Sequence, residues 1–325
     1  MVMNYCINYG KPSIIPPRML GIPSSIIDFE ERVRAFWITE ILDSTSTLGV
    51  AWNFHILRPE ANVWTPCDDD LWILPEGLIS MLPFGSSESP GSFSLYVRLV
   101  STELWHVHNF LQQSSDMTVP EVCAQRLAEC QTIDLRLLKW QSQFESVVPA
   151  SSPSTSASVG DSHPLSANIV LTYCTIDTAV IVMYQRLVIL PDGSEGNTEV
   201  SYQASSRCLQ ACNHLVSILR TVDDEELQCM SPQLIACVFV AARFYIMHAR
   251  AMHTDIPPKL DLLKYALKAC GQRWPLARRL GKVLSAGTMG QESTAYKVSL
   301  PEPFYDLQYS WPDIDYALQD WAERA

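Results

Sequence analysis

Two acidic runs are the first residues whose types could support chemistry. Asp68-Asp69-Asp70 and Asp223-Asp224-Glu225-Glu226 each crowd carboxylates into a few positions. An all-helical, Mg2+-dependent prenyl-chain enzyme needs Asp-Asp-x-x-Asp on one helix face, so that the carboxylates hold Mg2+ against a diphosphate. Neither run completes that pattern. Trp72 and Leu227 occupy the positions of the required third carboxylate. The first run reads as a solvated loop and the second as a helix end, which leaves the prenyl-chain enzyme as the weaker alternative.

The metal-ligating residue types are also poorly spaced. His106 and His108 lie two apart on a predicted helix, so they do not share a face. His248 and His253 lie five apart. None of the ten cysteines falls in a CxxC pair, and the closest spacing is Cys208 to Cys212. Cys174, Cys208, Cys212 and Cys237 sit in apolar stretches, where a thiol packs as a small hydrophobe. No phosphate-binding loop, GxSxG or HExxH occurs. The reading is therefore non-enzymatic, with no metal or cofactor site. Asp177 is the one odd residue, an acid within an apolar helix. If buried it needs a partner, either an Arg or backbone donor or a sensed ligand.

Charge limits the partners. The formal net charge is −12, and an acidic chain repels a phosphate backbone. No direct nucleic-acid binding is expected. Arg273, Arg278, Arg279 and Lys282 form a short basic patch, which reads as a solvated helix face. The N-terminal residues lack a signal-peptide pattern. Leu234 to Ala242 is too short to span a bilayer, and polar residues interrupt Ile169 to Tyr184. Both read as buried core helices, in a reducing intracellular compartment and away from any membrane.

The elements that must position these residues are helical. Thirteen glycines and 21 prolines, the latter mostly at element boundaries, favour helices joined by Pro-marked loops. Residues 1–27 are irregular. Asp28 with Glu31 has capping-box spacing, and Val33, Phe36, Trp37, Ile41 and Leu48 recur at helical intervals. Residues 52–91 form a long internal loop. Helices are expected at about 94–112 and 119–144, the latter with Val122, Leu127, Cys130, Ile133, Leu137 and Leu138 as its stripe. Residues 147–165 form a flexible insertion rich in Ser and Pro. Further helices are expected near 165–190, 198–222, 231–254 and 258–285. The third of these four should be central, because it is apolar on most sides. The fold class is all-α, a multi-helix array, with one domain over 28–290.

Glu31, Arg32, Arg34, Phe36, Trp37 and Asp43, within ERVRAFWITEILD, carry a resemblance. The segment resembles a motif of the fungal-specific transcription factor domain, the middle region of zinc-cluster transcription factors. Arg58-Pro59 resembles the family's Gly-Arg-Pro, with Leu57 in place of Gly. Asp68-Asp69-Asp70 through Pro75 resembles its acidic segment. Tyr184-Gln185-Arg186 and Trp274-Pro275-Leu276-Ala277 match later elements, so the resemblance covers roughly 20–290. It implies a nuclear regulatory domain that contacts the transcription machinery, responds to small molecules or partners, and pairs with a full-length relative. The family's six-cysteine zinc cluster and its earliest helices have no counterpart here. The loss of those helices leads to an expectation of exposed apolar surface and self-association. A free-standing interaction or sensor protein is the alternative. The motif itself has a structural reading: Phe36, Trp37 and Ile41 face the core, while Arg32 and Arg34 bond a nearby acidic loop such as Asp68 to Asp70.

The tail, 291–325, differs in kind. Phe304, Tyr305, Tyr309, Trp311, Tyr316 and Trp321 alternate with acids. Acidic–aromatic mixing suits an exposed coactivator contact, with Phe304, Tyr305, Trp311 and Trp321 as the contact residues. The same sequence also suits a docked helix from Asp313 to Glu323, seated through Ile314, Leu318 and Trp321. Both readings stand at this point.

Overall fold

The computed structural model describes residues 23–46, 48, 65–67, 91–113, 115–147, 166–190, 195–289, 300–309, 314 and 316–319. Among these the secondary structure is entirely helical, with eleven α-helices and no strand. The all-α expectation holds.

Helix α1 is Ile26–Ser46. It begins two residues before Asp28. Ser25 Oγ accepts the Asp28 N–H at 3.1 Å, and Asp28 Oδ2 accepts from Ser24 N–H at 2.8 Å. Asp28 is therefore a first-turn acid rather than the cap, placed where the positive end of the helix dipole favours it. Helices α2 (Ser92–Arg98) and α3 (Trp105–Gln112) are joined by a π-helical stretch, Leu99–Leu104. Helix α4 is Pro120–Val147. Its buried stripe is Cys123, Leu127, Cys130, Asp134, Leu137 and Phe144. Leu138, expected on that stripe, is 44% exposed; the position one turn ahead that takes the buried place is Asp134.

Helix α5 (Ala167–Tyr184) runs into a 3-10 turn, Gln185–Leu187, and α6 is Glu195–Leu219. Every residue from Ile169 to Tyr184 is buried. This helix is enclosed more completely than α8 (Pro232–Ala251), the one expected at the centre. Both are long and apolar enough to cross a membrane, but their apolar windows are 89% and 78% buried inside the protein, as core helices are. Helix α6 packs against α5, and its small residues Ala204, Cys208, Ala211 and Cys212 are fully buried. The Cys208 and Cys212 thiols donate weakly to the carbonyls of Ile181 and Ala241. Burial pushes both thiols well above their ordinary pKa, so they pack rather than react.

Asp223 to Glu226 opens a short helix, α7 (Asp224–Cys229), that the sequence reading placed at a helix end. Asp223 Oδ1 accepts the Glu226 N–H at 2.8 Å, and Glu226 Oε2 accepts the Asp223 N–H at 3.3 Å. The acids form a reciprocal capping box, not a metal site. The expected helix 258–285 is two helices, α9 (Lys259–Cys270) and α10 (Pro275–Met289). Trp274 N–H returns to the Cys270 carbonyl at 2.9 Å, and Pro275, which cannot donate, restarts the helix. A short α11 is Glu302–Tyr305. Helix α5 packs between α6, α8 and α2, and α8 carries α9 and α10 on its other side.

Candidate functional site

The motif residues of α1 divide as the packing argument requires. Phe36 and Trp37 are buried, edge to face at 5.0 Å. Glu31 is exposed. Arg32 Nε bonds Asp28 at 2.8 Å, and Arg34 Nε bonds Glu30 at 2.9 Å, each one turn back on the same helix. Asp43 is half-buried. Arg34 Nη2 also donates to the Cys67 carbonyl at 3.1 Å, while Cys67 N–H donates to Glu30 Oε1 at 2.9 Å. Glu30 and Arg34 thus clamp the backbone just before the acidic run. The described partner of that clamp is Cys67; Arg58, Pro59 and Asp68 to Asp70 lie outside the described residues.

Beneath α1 lies an apolar cavity of about 180 Å3. Leu42 and Thr45 of α1, with Leu48 just beyond it, form one wall, Thr175, Thr178 and Val182 the α5 wall, and Gln233, Ala236, Cys237 and Val240 the α8 wall. The threonines are already engaged: Thr175 Oγ1 lies 3.3 Å from Tyr96 Oη, and Thr178 Oγ1 donates to the Cys174 carbonyl at 2.7 Å. A space of this size with few free polar groups suits a small apolar molecule. Cys237 and Gln233 are the side chains on its α8 wall able to orient such a molecule.

Glu40 is buried nearby on α1, with 7% of its surface exposed. Among the described residues its Oε2 has no hydrogen-bond partner. Burial first, and Asp43 second, lift its pKa to about 7.

On the other side of α5, two separate groups of buried and half-buried charged side chains join α4, α5 and α6. Arg207 makes a two-pronged bond to Asp134, at 2.6 and 2.7 Å, and Tyr184 Oη donates to the same carboxylate at 3.3 Å. Asp177, the odd acid of the sequence, pairs with His214 Nδ1 at 2.8 Å. The Tyr173 ring stands edge-on to that imidazole at 5.8 Å. Burial lifts Asp177 to about 6 against the pull of the His214 bond, and that bond raises His214. The partner is therefore a histidine, not the arginine or backbone donor expected. Asp134 and Arg207 were not singled out in the sequence, although an acid at a core position of the α4 stripe is the same signal that marked Asp177.

Three further histidines are placed by local structure. His248 stacks on Phe244 at 5.8 Å, and His253, at φ 52°, ends α8. His108 Nε2 lies 2.7 Å from Gln112 Nε2. Among the described residues, no group of three His, Cys, Asp or Glu side chains could hold a metal ion.

The tail is docked where it is described. Phe304 is fully buried and packs against Phe239 at 6.3 Å. Its ring also lies 3.0 Å from where a Cβ on Gly287 would sit. Arg250 stands over the Tyr305 ring at 4.6 Å. Arg243, buried in α8, donates to the carbonyls of Phe304 at 2.8 Å and Pro303 at 3.1 Å, and also to that of Asp306. Ile314 and Leu318 are buried. This corrects the exposed-contact reading for Phe304: a ring enclosed in the core cannot enter a partner's groove without undocking. Tyr305 is half-buried under Arg250. Trp311 and Trp321 lie outside the described residues.

No family model matches the chain, and no solved structure matches it. It is similar to the notoamide biosynthesis cluster transcriptional coactivator notQ' of Aspergillus versicolor, at 28% identity over 97% of this chain. The chain spans about half, 53%, of that relative's length.

Proposed function

We propose that this chain is a non-enzymatic regulator of transcription, acting in the nucleus as a coactivator through protein contacts. The observation that carries the reading is an alignment running along nearly the whole chain with a protein named as a transcriptional coactivator. The resemblance of Glu31 to Asp43 to the fungal-specific transcription factor domain supports the same reading. So does the net charge of −12, which suits contact with proteins better than contact with DNA. Within this reading the chain is the regulatory region of a zinc-cluster-type factor. A full-length relative is one protein partner within this reading, with this chain joining it as a dimer.

A sensor role is the second reading, and the cavity between α1, α5 and α8 favours it. An apolar effector there would bridge the motif helix to the two core helices and bias how α1 sits.

Deleting the gene and sequencing the transcripts tests the main reading. A coordinated fall in a defined set of transcripts is expected, and an unchanged profile would reject it.

A further inference from the structure

Helices α9 and α10 enclose an open groove of about 800 Å3. Asp261, Lys264, Tyr265 and Lys268 line one side at one-turn spacing, and Arg278, Gly281, Lys282 and Ser285 line the other. Lys268, Arg278 and Lys282 are exposed and Lys264 is half-buried. Residues 259–289 hold seven of the chain's 23 Lys and Arg and one of its 35 Asp and Glu, so positive charge is concentrated on this pair of helices in an otherwise strongly acidic protein. Among the described residues none of the four groove cations forms an ion pair. Lys264 Nζ donates to Thr288 Oγ1 at 3.3 Å, and Arg278 donates to the Gly271 carbonyl. Their charge is left facing the groove.

Gly281 adds an independent observation. A glycine inside a helix costs about 1 kcal/mol relative to alanine, so its place calls for a reason. Gly271 and Gly287 have one, since a Cβ would lie 2.9 Å from Arg278 Cγ and 3.0 Å from the Phe304 ring, respectively. At Gly281 a Cβ would meet nothing within 4 Å among the described residues. The fold does not need that opening, but a second backbone laid into the groove does.

We infer that the α9–α10 groove binds an acidic segment of a partner protein, with its carboxylates on Lys264, Lys268, Arg278 and Lys282 and its backbone passing over Gly281. A nucleic acid is the poorer fit. It would extend beyond the groove onto a surface that carries the chain's excess of acids, where phosphates are repelled. The inference deepens the coactivator reading by giving the chemistry of one partner.

The test is fluorescence anisotropy on the purified full chain. The probes are a short labelled peptide alternating Asp and Glu with Leu and Phe, its Asn and Gln counterpart, and a labelled DNA duplex. The variants are Lys268→Glu/Lys282→Glu and Gly281→Glu; the second fills open space and improves helix propensity, so it melts no lower than the wild type. The acidic peptide is expected to bind, more weakly as salt rises, and to lose about tenfold or more in affinity in each variant. The uncharged peptide should not bind. Absence of acidic-peptide binding, equal affinity in wild type and both variants, or tighter binding of the duplex than of the peptide would overturn the inference. Peptide binding does not depend on transcript levels. Its loss with a normal deletion profile rejects the groove alone, and its presence with an unchanged profile rejects the coactivator reading alone.

Discussion

Arg243 Nε donates to the Phe304 carbonyl at 2.8 Å, across 61 residues of sequence. One buried guanidinium thereby gathers several carbonyls at the end of α11 and fixes the start of the tail to the middle of α8. Replacing Arg243 with Leu removes the donors and leaves those carbonyls buried without partners. The expected cost is about 3 kcal/mol. Limited proteolysis should then cut within residues 300–309 before the helical body, while wild type resists there.

Gly287 and Gly281 lie on one helix but should respond oppositely to alanine. At Gly287 the new methyl meets the Phe304 ring, and overpacking of this kind costs about 1–3 kcal/mol. At Gly281 it meets nothing, so Gly281→Ala should stabilise by up to about 1 kcal/mol. Urea denaturation of the two variants separates them by sign.

Asp177 titrates near 6 in the folded chain, above its ordinary 3.8. The folded state therefore holds this proton more tightly than the unfolded state, and stability falls as pH rises from about 4 through 6. His214, raised by the same bond, gives stability that is present at low pH and lost as pH passes its folded pKa. Both slopes run the same way. Relative to wild type, Asp177→Asn should gain about 2 kcal/mol between pH 4 and pH 8. Denaturation midpoints across that range would show it, and a flat difference would not fit.

Glu40 is a carboxyl whose folded pKa rises from 4.5 to about 7, with nothing among the described residues bonded to Oε2. Its ionisation weakens the fold progressively between those values. Glu40→Gln should leave stability at pH 4.5 nearly unchanged and raise it by about 2 kcal/mol at pH 8. Thermal melts at the two pH values check the sign.

The helices were legible because their stripes are plain. Val200, Ala204, Cys208, Cys212, Leu215 and Leu219 recur at helical spacing and are all buried. Pro275 suits a helix start, but the apolar spacing of α9 runs on into α10 and hid the break at Gly271. The polar sites were harder to read. Arg243 and Glu40 sit among apolar neighbours, and a single polar residue leaves the period of a stripe unchanged. Paired polar groups have partners far along the chain: Phe304 is 61 residues from Arg243, Arg207 is 73 from Asp134, and His214 is 37 from Asp177. Composition could not separate a docked tail from an exposed one, because the aromatics that would enter a partner's groove are also those that fill the protein's own core. Arg243 and Gly287 decide for Phe304, and both lie outside the tail.

Regulation of transcription through protein contacts is the central claim, and tethering tests it most directly. The full chain is fused to a heterologous DNA-binding domain and placed upstream of a reporter in a fungal cell, beside the unfused chain. Reporter output well above that of the DNA-binding domain alone is predicted, with none from the unfused chain. Output at background from a fusion shown to be folded and nuclear would contradict it.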